Sequence, residues 1–248
     1  MTAIVGWLCQ DGVVIGSDSA ITFTAGTQLT IGQIGEKISI IQGRVIVAGS
    51  GEVGFEQRFC DIVKTAYDGG LFTKNNINVG RKLSELMNKD LASTLAKRDR
   101  FCALLAYASG NEFHLCEFGL LDFQPEWKNS QMNFASIGCG QTITDPFLGF
   151  MKSIFWKDEE QPTVPQAEFI TYWALSNVCE LSPGLIKAPI HITRLSKDSS
   201  GHFVANEVGA DELEEHAASM KDAMAHVAQF KDQMTGKAAV QIPSMGTK

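Results

Sequence analysis

Three side chains near the start of the chain have the types and order that acyl-transfer chemistry needs: Thr2, Asp18 and Lys37. Thr2 directly follows Met1, in Met1-Thr2-Ala3-Ile4-Val5-Gly6. Threonine is small enough for methionine aminopeptidase to clear the methionine before it, so Thr2 is expected to become the N-terminus. A free N-terminal threonine carries its own nucleophile, the hydroxyl, and its own base, the α-amino group. An unperturbed α-amine titrates at about 7.7–8.0, so little tuning makes it a base near neutral pH. Lys37, in Gly35-Glu36-Lys37, offers a cation that lowers the pKa of both groups. Asp18, in Gly16-Ser17-Asp18, offers a carboxylate to hold that lysine charged and oriented. Gly49, in Val47-Ala48-Gly49-Ser50-Gly51, lets a backbone N–H approach a substrate carbonyl, as an oxyanion donor must.

Strands have to position these groups. Residues 3–9 and 13–18 are short, apolar and rich in Val and Ile, and are predicted as paired strands. A two-residue turn at Asp11-Gly12 would pair Thr2 with Ile21 and Asp18 with Val5, on opposite faces. A three-residue loop with Gly12 left-handed would pair Cys9 with Val13, Thr2 with Ala20 and Asp18 with Ile4, bringing Asp18 to the face of Thr2. The second register is the expectation, because it puts the acid where the chemistry uses it. A Thr- and Gly-rich loop leads to Lys37. A third strand follows at 38–41 and a fourth at 44–48, closing at Gly49.

Helices are predicted over 52–67 and 78–98, separated by Asp68-Gly69-Gly70 as a stop. Strands at 101–108, 112–116 and 134–138 come next, then helices at 144–156 and 165–178. Strands at 186–195 and 202–208 close the series. The order strands, helices, strands, helices, strands predicts an α+β fold: two stacked sheets covered by helices on both outer faces. A last helix over 210–234 has acids in its first turns and lysines later, as its dipole prefers. Its face of Leu213, Met220, Met224, Val227 and Phe230 packs either on its own domain or on another subunit. Residues 235–248 are small and polar and are expected to be mobile.

The early residues resemble the proteasome β-type family of N-terminal threonine hydrolases. The likeness rests on Thr2, Asp18, Lys37 and Ala48-Gly49, together with Ile137-Gly138-Cys139-Gly140 before a helix. It runs from the start to about residue 195. Bacterial relatives, such as the heat-shock-locus threonine peptidase, look closer than the eukaryotic subunits. The Met-Thr start and the long last helix are most similar to the betaproteobacterial proteasome homologues. The resemblance implies a four-layer αββα sandwich, the N-terminal nucleophile hydrolase fold, over residues 1–208, with 209–234 as an appended helix. It implies a threonine endopeptidase that cuts unfolded polypeptide inside stacked homo-oligomeric rings, with an ATPase unfoldase as a possible partner. No cofactor is implied. It assigns catalytic roles to Thr2, Asp18, Lys37, Gly49, Cys139 and Ser182, and substrate contacts to Ala20, Val47 and Gly51. By resemblance Val47 lies at the floor of the first specificity pocket, so apolar side chains are expected before the scissile bond.

Two positions depart from the family pattern. Cys139 stands where the family has serine, and a thiol is a weaker donor and acceptor. In Cys179-Glu180-Leu181-Ser182-Pro183-Gly184, Ser182 matches a family serine, but Cys179 holds the place of its aspartate. A catalytically silent shell acting as scaffold or chamber is therefore the alternative. A remote one is a dinucleotide-binding module, since Gly49-Ser50-Gly51-Glu52-Val53-Gly54 fits G-x-G-x-x-G. That module needs a second strand ending in an acid about 20 residues on, and none is apparent.

Composition narrows the partners. The 248 residues are 44% hydrophobic and 20% charged, which suits one domain with a large core. A net charge of -7 with no Lys/Arg run argues against nucleic acid. No basic segment with an apolar run opens the sequence, and no apolar stretch is long enough for a membrane helix, so a cytoplasmic location is expected. The six cysteines are scattered, with no CxxC pair, and are expected to be reduced. The five histidines show no metal-binding spacing, and His216 and His226 read as solvated surface.

Overall fold

The computed structural model describes residues 2–25, 28–94, 101–157 and 160–234. Twelve strands and five α-helices are described. One sheet is built from β1 (Ile4–Leu8), β2 (Gly12–Ser17), β10 (Phe134–Ile137), β11 (His191–Lys197) and β12 (Phe203–Glu207), in the order β10-β1-β2-β11-β12. The other contains β5 (Ile38–Ile41), β6 (Val45–Gly51), β7 (Phe101–Ser109), β8 (Glu112–Phe118) and β9 (Pro125–Trp127), in chain order. Between them in sequence, β3 (Ala20–Ala25) and β4 (Gln28–Ile34) form a separate two-stranded ribbon.

Alternation along the strands sorts side chains into three apolar layers. Ile4, Val13, Ile15, Ile46, Leu104 and Leu115 fill the space between the two sheets. Val5, Trp7 and Val14 point the other way, toward α3 (Gln141–Phe155) and α4 (Val164–Leu181). On the second sheet, Val47, Leu105 and Tyr107 meet α1 (Val53–Asp68) and α2 (Asn76–Ala92) through Phe59, Val63, Leu83 and Met87. The result is the expected helix–sheet–sheet–helix stack. Burying each large side chain in these layers contributes about 1.5–3 kcal/mol.

The structure differs from expectation in three places that matter for the site. First, the β1–β2 hairpin adopts neither anticipated register. Leu8 pairs with Val13 and Ile4 with Ser17, around a Gln10-Asp11 turn closed by the Cys9 N–H donating to Gly12 O at 2.9 Å. Gly12 is not left-handed. It is a glycine because β11 and α4 press on it: a Cβ there would lie 2.5 Å from Leu195 O and 2.6 Å from Val164 Cγ2. Asp11 Oδ1 accepts the Val164 N–H at 2.8 Å, so the start of α4 helps fix the turn. Second, the segment before Lys37 is the β3–β4 ribbon in place of a loop, so six strands precede α1. Third, β11 begins at His191, five residues later than predicted.

The last helix, α5 (Ala210–Met234), follows its predicted span. Its first half packs on the body. Leu213 joins the layer around α4, and Arg194 of β11 holds both Glu212 of α5, at 2.7 Å, and the buried Glu168 of α4, at 3.1 Å. His216 is not a solvated surface residue. Its ring lies near Phe169 and Tyr172, with Nε2 3.7 Å from Glu168. The second half exposes Met224, Val227 and Phe230. The expected mobile tail at 235–248 lies outside the described residues.

Candidate active site

Asp18 is the hub. In the observed register it falls opposite Ala3, and its N–H donates to Ala3 O at 3.1 Å. Its carboxylate turns back on the main chain. Oδ1 accepts the Ala3 N–H at 2.9 Å and Lys37 Nζ at 2.6 Å. Oδ2 accepts the N–H groups of Ala20 at 2.9 Å and Lys187 at 3.3 Å. The acid is fully buried and Lys37 is only 4% exposed. Burial lowers the pKa of Lys37, and the charge and hydrogen bond of Asp18 oppose that fall. Asp18 therefore reaches the neighbourhood of Thr2 from the strand end, through Ala3 and Lys37, and not by sharing a strand face with Thr2.

The turn after β10 cradles Thr2. Its N–H donates to Cys139 Sγ at 3.3 Å. Its carbonyl accepts the Gly140 N–H at 3.0 Å and the Cys139 thiol at 3.6 Å. Gly138 has φ +90, and a Cβ on it would sit 2.3 Å from Thr2 O. Only a glycine there lets the turn close on residue 2. Thr2 is 8% exposed, whereas Cys139 is open to solvent.

Gly49 lies near the end of β6, opposite Ala103. A Cβ there would meet the Phe101 ring at 2.7 Å and Glu56 Cγ at 3.0 Å. The described contacts thus give this glycine a packing reason in addition to the expected close approach of a substrate. Ala20 opens β3 and touches the site through its N–H. Val47 is wholly buried in the layer under α1, so it presents no open surface. Gly51, at φ +137, joins Ser50, Cys102, Gly138 and Cys139 in lining a cavity of about 570 Å³.

Ser182 is not brought into this hydrogen-bonded cluster. It caps the C-terminus of α4, its carbonyl accepting from Leu185 and Ile186. Among the described residues no hydrogen bond joins it to Thr2, Asp18 or Cys139. Cys179, one turn earlier, feels the charges of Asp18 and Lys37. Burial pushes its thiol up to about 11, the Asp18 charge adds to that shift, and the Lys37 charge opposes it. Sequence reading also passed over Glu56, whose carboxyl is pushed up to about 7 by burial, against the pull of Lys37. The only signal for it was an acid in the first turn after a glycine-ended strand. Among the described residues no cluster of three or more His, Cys, Asp or Glu is set to hold a metal ion.

A family model for proteasome subunits matches residues 2–153. The chain belongs to the proteasome subunit family. The matched span holds Thr2, Asp18, Lys37, Gly49 and Cys139, and leaves α4, β11, β12 and α5 beyond it. Solved proteasome-type structures share the fold. A Gly-1 mutant of Anbu from Hyphomicrobium sp. strain MC1 superposes with a TM-score of 0.69 at 13% identity, covering 94% of this chain and 100% of that one. Anbu, the ancestral β-subunit, from Yersinia bercovieri gives 0.68 at 14%, covering 99% and 100%. No curated protein matches by sequence. No helix among the described residues is long and apolar enough to cross a membrane.

Proposed function

We propose that the chain is a threonine endopeptidase subunit whose nucleophile is Thr2, exposed when Met1 is removed. The observation that carries the reading is the buried Asp18–Lys37 pair, tied to the main chain of Ala3 one residue from Thr2. A buried lysine held charged at that place has a use if a nucleophile beside it must be made acidic. With Met1 gone, Thr2 Oγ attacks the peptide carbonyl carbon and its proton passes to the α-amine. The C–N bond breaks, the leaving amine takes that proton, and an ester remains on Thr2. Water then hydrolyses the ester, with the amine again as base. Family membership supports assembly into stacked rings that admit unfolded chains. An ATPase unfoldase is the partner such a chamber would use, and the cytoplasm is the compartment for both. The Met-Thr start and long α5 favour a place near the betaproteobacterial homologues.

One observation favours a second reading. The atom facing Thr2 N is a sulfur at 3.3 Å, in the position where the family resemblance puts a serine hydroxyl. A weak hydrogen-bonding partner there would give a silent ring.

The test compares protein that retains Met1 with protein whose Thr2 is freed from a cleavable fusion, each checked by intact mass. A fluorogenic peptide reports turnover. The freed form should cleave and the capped form should not, since an amide nitrogen is not a base. Equal rates would end the N-terminal-threonine reading. A freed form that assembles into rings but stays inactive would favour the silent shell.

A further inference from the structure

Lys37 has a second acidic neighbour that the site as described does not use. β5 and β6 pair with Ile38 opposite Ala48. One step further along that antiparallel register sets Lys37 opposite Gly49, on the same side of the sheet. Gly49 has no side chain, and the space above it is taken by Glu56, whose Cγ is 3.0 Å from where a Cβ would be. Glu56 is in the first turn of α1, where the helix dipole favours a negative charge.

Asp18 spends three of its four hydrogen bonds on backbone N–H groups, which disperses its charge away from the lysine. We propose that Glu56 is a positioning residue that shares with Asp18 the task of keeping Lys37 charged, reaching it across the bare backbone of Gly49. Among the described residues, two titratable groups couple to it. From the segment before β5 comes Lys37, and from α1 itself Cys60. From β6 and β7, Gly49 and the Phe101 ring border the same space. Asp18 and Cys139 also act on Lys37, and Asp18 and Lys37 act on Cys179. Burial raises the pKa of Glu56, so the carboxylate charges near neutrality. Above that point the site gains a negative charge that supports both Lys37 and a protonated Thr2 amine. Glu56 would thereby set the working pH. That last role rests on the threonine-peptidase reading, but the effect on Lys37 does not.

The experiment labels the full chain with trace acetic anhydride across pH 6–10 and measures acetylation of Lys37 by peptide mass. Glu56→Gln keeps the shape and removes the charge. The neutral fraction of Lys37 should rise, and its labelling at a fixed pH with it, on the order of tenfold for a one-unit fall in pKa. Glu56→Asp, which keeps a retracted charge, should lie between. Equal Lys37 labelling in wild type and Glu56→Gln, zero included, would overturn the proposal. In the freed, active protein, both limbs of the kcat profile should move to lower pH in Glu56→Gln with KM unchanged. A purely structural role would lower melting temperature without moving the limbs. An inactive wild type would refute the threonine-peptidase reading and leave the labelling result to decide on Glu56.

Discussion

Replacing Asp18 by Asn should cost far more stability than replacing its partner Lys37 by Met. The carboxylate accepts four hydrogen bonds, two at each oxygen. An asparagine retains one oxygen. Whichever way it turns, its NH2 faces two donors: Ala3 N–H with Lys37, or Ala20 N–H with Lys187 N–H. The substitution also strands the Lys37 charge at 4% exposure. Breaking a buried pair so that one charge is left costs about 3–5 kcal/mol, and a buried donor without an acceptor about 1–3 more. The expected loss is about 4–8 kcal/mol, a large share of a typical 5–15. Lys37→Met leaves the carboxylate its three backbone donors and puts an apolar chain in a buried slot. About 1–3 kcal/mol is then expected. At this chain length, 1 kcal/mol shifts the melting temperature by about 2–4 °C, so the two variants should differ by roughly 10 °C. Circular dichroism melts at matched concentration and assembly state would measure it. If Lys37→Met proved as damaging as Asp18→Asn, Asp18 would not be the backbone anchor described.

Other outcomes follow from the same geometry. Gly138→Ala forces a Cβ to within 2.3 Å of a backbone oxygen at positive φ. It should lower stability by roughly 2–4 kcal/mol and abolish labelling of Thr2 by an active-site electrophile. Cys139→Ser should raise turnover of the freed enzyme by replacing a thiol with a stronger hydrogen-bonding hydroxyl, read as kcat on a fluorogenic peptide. Glu56 gives stability a pH slope. Its folded pKa, about 7 against an ordinary 4.5, means that the folded state holds the proton over that window. Stability should therefore fall as pH rises from about 4.5 to 7. The drop is about 2 kcal/mol after allowance for partial exposure, and urea melts of Glu56→Gln should lack it.

Local pattern went far here because the site is built from strand ends. Thr2, Asp18, Lys37 and Gly49 each flank a short Val/Ile-rich run, and those runs did form strands. What failed depended on distant parts of the chain. Gly12 reads as a turn glycine in isolation, yet Leu195 and Val164 dictate it. The β3–β4 ribbon escaped notice because it adds no buried apolar stripe to the main sheets. Ile34 is exposed, and Thr22 and Thr24 alternate with apolar residues along a separate hairpin. Glu56 became visible only once the β5–β6 register set Lys37 across from a residue without a side chain. Ser182 matches a family motif in sequence, but a helix C-terminus holds it where no described hydrogen bond reaches Thr2.

The reach of Asp18 across the sequence bears on when the site can exist. Its partners lie 15, 2, 19 and 169 positions away. Thr2 meets Cys139 at a separation of 137. A chain emerging from the ribosome makes Thr2, Asp18 and Lys37 early, but the sulfur facing Thr2 comes past the midpoint and the last donor to Asp18 at Lys187. A truncated or stalled product carries the reactive residues without the cradle that arms them. The fold thus delays completion of the site until translation is nearly done; under the proposed threonine-peptidase reading, that spares neighbouring nascent chains from a half-made enzyme.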